Sequence, residues 1–205
     1  MMKSTGILFL ALMAPILSAA PAFCADQPPG GRIDLSKAIA FERYIATGSG
    51  EQIGSVIDRL SSLKLSGPLT AAVKKIDVPL VVVAYTDITC PDCSRTIPFV
   101  QAIHNANPLV TTLYLLRDDE TKTFVRAQTG KSSTPTIFVA DASGAVAGGV
   151  YVEYPESVQA LIDASATDEE AKGHRSDLRS GMYDGEIQGD LARLLESAFK
   201  ELRSR

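Results

Sequence analysis

The chain has 205 residues, enough for one sizeable core with extensions and tight for two full domains. Its 45% hydrophobic and 21% charged residues are those of a globular protein, and a net charge of −4 argues against a nucleic-acid-binding surface, which needs a basic face. Three cysteines are too few for a disulfide-stapled scaffold; one pair and one leftover describes them better.

Lys3 is the only charge before Asp26, Ile7 to Leu17 is a short apolar run, and Ala20-Pro21-Ala22 offers small residues for cleavage. Residues 1–22 therefore read as a secretory signal peptide, since the apolar run falls short of the ~20 residues a spanning helix needs. The expected location is the periplasm or outside the cell, with no stable membrane insertion after cleavage. Cys24 lies just past the cut, where lipidation would call for a small preceding residue; Phe23 stands there instead, which disfavours a lipoprotein. Cys24 is expected neither to pair with the other cysteines nor to be needed for activity. Residues 23–33, with Gln27-Pro28-Pro29-Gly30-Gly31, read as a flexible linker.

Residues 34–77 form a helical N-terminal extension. One helix is expected around Leu35 to Ile45, closed by Thr47-Gly48-Ser49-Gly50. A second carries Ile53, Val56, Ile57, Leu60 and Leu63 on one face, and a third opens at Ser66-Gly67-Pro68 and ends near Ile76. At this size they are expected to dock on the following domain.

Residues 78–165 alternate strand and helix. Leu80 to Thr86 is a β-branched run that reads as a strand buried on both faces. Cys90-Pro91-Asp92-Cys93 follows at the start of a helix reaching about Asn105, with Pro91 at a position that tolerates a missing N–H. Leu109 to Leu116 is a second strand. Asp118-Asp119-Glu120 opens a helix that stops at Gly130. Thr136 to Ala140 and Ala145 to Tyr151 form a hairpin around Asp141-Ala142-Ser143-Gly144. Pro155 begins a helix with Val158, Leu161 and Ile162 on one side.

In the remainder, 166–205, Thr167 to Ser180 is charged without clear period and reads as a polar link. The final helix carries Ile187, Leu191, Leu194, Leu195, Ala198 and Leu202 as one apolar stripe, read as a packing face rather than a partner-binding one.

A thiol at Cys90 would meet unpaired backbone N–H groups and the positive end of a helix, both of which favour its thiolate. Asp92 puts negative charge beside it and works the other way. Cys-x-x-Cys alone also fits half a zinc site or a structural disulfide. Zinc would need further ligands from Cys24, His104 or His174, whose spacings do not serve, so no metal is expected. No nucleotide, flavin or other cofactor motif is visible.

Two prolines add weight to the redox reading. Pro98 sits inside the helix that begins at the cysteines, and Thr134-Pro135 stands at the entrance of a buried strand, where an X–Pro bond can be cis. With Cys90, Cys93, Pro98 eight residues after Cys90, Pro135 and Gly144 in place, residues 78–164 resemble the thioredoxin family. The extensions at both ends resemble a bacterial thioredoxin-like group.

The resemblance implies an α/β thioredoxin-like fold, a central mixed sheet flanked by helices, with the helical N-terminal extension and the C-terminal helix added. It implies that Cys90 is the exposed attacking thiol and Cys93 the recessed resolving thiol. By the same likeness, Thr134 pairs its backbone with an extended substrate segment and cis-Pro135 keeps that edge open. The family's tryptophan before the first cysteine is Thr89 here, and its buried acid beneath the second is Ala84. Proton transfer from Cys93 must then use water or another group, with Asp87 a weak candidate.

The expected function is an exported thiol–disulfide oxidoreductase acting on cysteine-containing protein substrates and served by a redox partner. The alternative is a thioredoxin-fold binding module or assembly factor without redox turnover.

Overall fold

The computed structural model describes residues 31–205. The expected signal peptide, its cleavage site, Cys24 and most of the linker lie outside the described residues. The linker's last residues are already fixed: Ile33 is buried, and its N–H donates to the Gly144 carbonyl at 2.8 Å.

The central sheet has four strands in the order β2-β1-β3-β4. Strand β1 (Leu80–Thr86) runs parallel to β2 (Val110–Leu116) and antiparallel to β3 (Thr136–Ala140), which pairs antiparallel with β4 (Val146–Val152). Every residue of β1 is buried, because both faces of the sheet are covered. Leu80, Val82 and Ala84 enter one core, while Val81, Val83 and Tyr85 enter the other.

The first core is completed by Ile97, Val100 and Ile103 of α4 (Pro91–Ala106) and by Leu191, Leu194 and Leu195 of α8 (Asp184–Ser204). The second is closed by Val125 of α5 (Asp119–Thr129) and by Ile33, with Leu35 and Ala38 packed against it.

The expected helix from Leu35 to Ile45 is broken. A short 3-10 turn (Leu35–Lys37) precedes α1 (Phe41–Ile45), and between them Ile39 exchanges two backbone hydrogen bonds with Tyr114 at 2.9 and 2.8 Å. That bridge occupies the outer edge of β2, which would otherwise be open to pairing. Tyr44 then stacks on Tyr114 at 4.9 Å between ring centroids.

Helix α2 (Gly50–Ser62) begins with a capping box between Ser49 and Gln52, and α3 (Gly67–Lys75) begins at Ser66 with Pro68 in its first turn. As expected, these helices dock, α2 on α4 and α3 on α8.

Helix α6 (Glu156–Ala164) buries Val158 and Ile162, but Leu161 is 42% exposed and does not belong to its packed side. The segment read as a polar link is a helix, α7 (Asp168–Ser180), with Ala171 and Leu178 buried. Thr167 caps it by accepting from the Glu170 N–H at 3.2 Å, and Gly181 ends it. Its apolar residues are too sparse to show a period. The α8 stripe packs inward as expected at Ile187, Leu191, Leu194, Leu195 and Ala198.

Candidate functional site

Strand β1 ends at Thr86, and Asp87 shapes the turn that follows. Its carboxylate accepts from the Thr89 N–H at 2.9 Å and the Thr89 hydroxyl at 2.7 Å, while its carbonyl accepts from the Cys90 N–H at 3.0 Å. Cys90 is the N-cap of α4, Pro91 its first residue, and Cys93 lies one turn in. The helix continues through Pro98 to Ala106.

Both cysteines are free thiols in this structure, Cys90 half-buried and Cys93 fully buried. The Cys90 thiol donates to the Thr134 carbonyl at 3.4 Å, and the Thr134–Pro135 peptide bond is cis. Cys90, Cys93, Thr134 and Pro135 are thus brought together at one end of α4. The Pro135 carbonyl is taken by the Glu153 N–H at 2.7 Å, whereas the Thr134 N–H makes no hydrogen bond among the described residues.

The two thiols differ sharply in acidity. Hydrogen bonding from the Cys93 side chain pulls the Cys90 thiol down to about 6, against the opposing effect of burial, and the Thr134 side chain and the Cys93 N–H add to the pull. Burial pushes Cys93 well above the ordinary thiol range, and its neighbour Cys90 pushes it further. One thiol thus ionises near neutrality and the other only well above it.

No acid lies beneath Cys93 at Ala84, which is itself fully buried. Asp87 is committed to its turn. The polar side chain that reaches Cys93 is Thr86, whose hydroxyl donates to the Tyr44 hydroxyl at 3.3 Å. Burial holds the Tyr44 phenol far above its usual range, so it serves as a neutral partner. His104 faces elsewhere, with Nδ1 2.7 Å from the Val110 carbonyl oxygen.

Asp92 behaves differently from a bare charge beside a thiolate. It is 5% exposed, and Arg179 of α7 grips it, with Nε donating to Oδ1 at 2.7 Å and a terminal guanidinium nitrogen donating to Oδ2 at 3.3 Å. The Tyr154 hydroxyl donates to the same Oδ2 at 3.4 Å. That pair raises the Arg179 guanidinium above its already high range. Two residues past Cys93, Arg95 makes a second two-point pair with Asp184 at the start of α8, at 2.7 and 2.6 Å. Asp184 also pairs with Arg59 of α2, whose guanidinium lies 5.1 Å from the Phe99 ring centroid. Arg179 and Asp184 escape a motif search because their positions depend on α7 and α8 folding back onto α4.

Residues 38–171 match the family model described as thioredoxin. Comparison with curated proteins gives no match. Two solved structures are similar: a protein of unknown function from Pseudomonas aeruginosa and an HIV epitope-scaffold. Each aligns with a TM-score of 0.64 and 18% identity, covering 80% of this chain and 95% or 96% of its own. At that identity the likeness concerns the fold alone.

Proposed function

The chain belongs to the thioredoxin family, and on that footing we propose that it is an exported thiol–disulfide oxidoreductase acting on protein cysteines through Cys90 and Cys93. One observation carries the reading: a half-buried thiol with acidity near neutrality caps α4, between a buried partner thiol and the Thr134 carbonyl beside cis-Pro135. A structural pair would not need its two thiols so unequal.

The Cys90 thiolate attacks one sulfur of a substrate disulfide. That S–S bond breaks, a mixed disulfide to Cys90 forms, and the displaced substrate sulfur leaves as a thiolate that takes up a proton. Cys93 then loses its proton and attacks the Cys90 sulfur. The mixed disulfide breaks, the Cys90–Cys93 disulfide forms, and the second substrate sulfur leaves and is protonated. The substrate gains two electrons and two protons: the cysteine pair gives up both electrons and the Cys93 proton, and the second proton comes from water because Cys90 enters as a thiolate. With the pair oxidised and the substrate a dithiol, the same steps run in reverse, and a dithiol or disulfide redox partner resets the pair.

Substrate is held as an extended segment whose backbone pairs with the Thr134 N–H, which has no partner among the described residues. Export through residues 1–22 would place this chemistry in an oxidising compartment.

The test mixes the reduced full chain with insulin as a disulfide-bearing probe. Wild type should reduce insulin and emerge with the Cys90–Cys93 disulfide; Cys93→Ser should accumulate a covalent mixed disulfide through Cys90, and Cys90→Ser none. A Cys90 inert to both insulin and an alkylating reagent would favour a binding module instead.

A further inference from the structure

We propose that Arg179 is a positioning residue for the thiol pair: from α7 it locks the Asp92 carboxylate in a two-point ion pair and so offsets the negative charge that the Cys-Pro-Asp-Cys turn sets beside Cys90. This rests on the oxidoreductase reading of that turn and adds to it a part for the C-terminal addition.

The geometry is specific. Asp92 is the second residue of α4, its side chain is 7% exposed, and it sits between the two cysteines. A carboxylate so placed and left unpaired would be costly and would repel a thiolate next to it. Arg179 supplies two donors and Tyr154 a third, so both carboxylate oxygens are engaged. The planar guanidinium matches a carboxylate at two points, which an ammonium cannot do.

Arg179 is held in place from behind. Leu178 beside it is fully buried, and Gly181 closes α7 by donating to the Asp177 and Leu178 carbonyls at 3.1 and 3.0 Å. Three residues later Asp184 is tied to Arg95. The α7–α8 junction therefore grips the first turns of α4 at two points, Asp92 and Arg95, with the thiols alongside.

The charged and titratable groups bearing on Cys90 come from several elements. Cys93 and Asp92 lie on α4, Arg179 on α7, and Tyr44 on α1. Asp92 is in turn faced by Tyr154 and Tyr151, and the Arg175 charge favours the Tyr154 phenolate. Of these, Arg179 supplies a cation directly to Asp92. With it gone, the Asp92 charge acts on Cys90 undiminished.

The experiment measures the rate of Cys90 alkylation by iodoacetamide against pH in the reduced full chain. Arg179→Met should move the midpoint upward and slow alkylation just above pH 6 by roughly three- to tenfold. Asp92→Asn should not raise the midpoint, and adding Arg179→Met to Asp92→Asn should change the rate less than about twofold, because the arginine's main hold is on the carboxylate and its direct pull on Cys90 is the smaller effect. Arg179→Lys should recover part of the loss.

An unmoved midpoint in Arg179→Met overturns the proposal. So does an equal shift in the Asp92→Asn background, which would mean that Arg179 acts on Cys90 directly. If Arg179→Met does not fold, Arg179→Gln keeps much of the stem, loses the charge and decides the same question. Alkylation needs no turnover, so failure of the oxidoreductase reading is seen separately, as a normally alkylating wild type that exchanges nothing with insulin.

Discussion

On one face of the sheet, Leu80, Val82 and Ala84 share a core with α4, α3 and α8; on the other, Val81, Val83 and Tyr85 meet α5 and the segment around Ile33. Helices α1, α2, α3, α7 and α8 all contribute buried residues to the first side, the side that carries the cysteines. The second side keeps a thin cover. The additions therefore do more than enlarge the core. They surround α4 and tie its charged residues, Asp92 and Arg95, to the C-terminal part of the chain. Damage on the first side should reach the thiols, and equal damage on the second side should stop at stability.

The largest effect belongs to Cys90→Ser, which should reduce insulin exchange to background while leaving the cooperative unfolding of both cores intact at pH 5, where the Cys90 thiol is protonated in the wild type as well. Next comes Asp184→Asn, which strips charge from the carboxylate that pairs with both Arg95 and Arg59. It should cost about 2–3 kcal/mol in urea unfolding, because two partly buried guanidinium groups lose their counter-charge. It should also alter Cys90 alkylation, since the α7–α8 junction is loosened. A stability loss with an untouched thiol would break the link between the first side and the site.

Two glycines on the β3–β4 hairpin give a matched pair, one for each side. Gly144 has φ +84°, and a Cβ there would stand 2.2 Å from the Ile33 carbonyl oxygen. Gly148 has φ +69°, and its Cβ would stand 2.7 Å from the Ala198 nitrogen in α8. Alanine at either should cost about 1–2 kcal/mol from the left-handed backbone alone, more if the neighbour cannot yield. Gly148→Ala should displace α8 and, through Asp184, disturb Cys90; Gly144→Ala should disturb the second core and leave the alkylation rate unchanged.

The acidity of Cys90 sharpens the same contrast. Alkylation of the reduced wild type should rise with a midpoint near pH 6 instead of near 9, since hydrogen bonding from Cys93 favours the thiolate. A thiol pKa lowered on folding stabilises the reduced form fully above its unfolded value, and that stability is lost as pH falls through about 6. The reduced wild type should therefore gain urea resistance from about pH 5 to pH 8 relative to Cys90→Ser. Equal pH dependence in the two proteins would contradict the lowered value.

Much of the fold and the thiol site is legible in the sequence because it is written locally. The β-branched run of β1, the prolines at 91, 98 and 135, and the Asp141-to-Gly144 turn each declare a backbone state by residue type. Helix α7 is hidden because it buries only Ala171 and Leu178, too few for a period. Its ends were nonetheless marked, by Thr167 with Glu170 three residues on and by Gly181 in the left-handed conformation. The break before α1 could not be read, since it arises when Ile39 pairs with Tyr114 far along the chain. For the same reason Asp92 looks like an uncompensated charge until Arg179 is in place.

The smallest effect is on the second side, at the start of α5. Asp118 accepts from the Thr121 N–H at 2.8 Å, and the Thr121 hydroxyl bonds back to the Asp118 N–H at 2.9 Å, so two end groups of the helix are satisfied together. Asp118→Ala should cost about 0.5–1 kcal/mol, the low end for a lost cap because the site is exposed to solvent. The Thr121 N–H holds the Asp118 carboxyl below its ordinary range, so its contribution is complete above about pH 4 and fades as pH falls through the lowered value. The difference between wild type and Asp118→Ala should accordingly be flat from pH 7 to about pH 5 and shrink in stronger acid, while Asp118→Asn, still a good cap, should lose that pH dependence. Neither substitution should move Cys90 alkylation, because α5 faces the core built on Val83 and Tyr85 and no ion pair runs from it to α4 among the described residues. A shifted thiol midpoint in Asp118→Ala would mean that the second side, thin as it is, also governs the site.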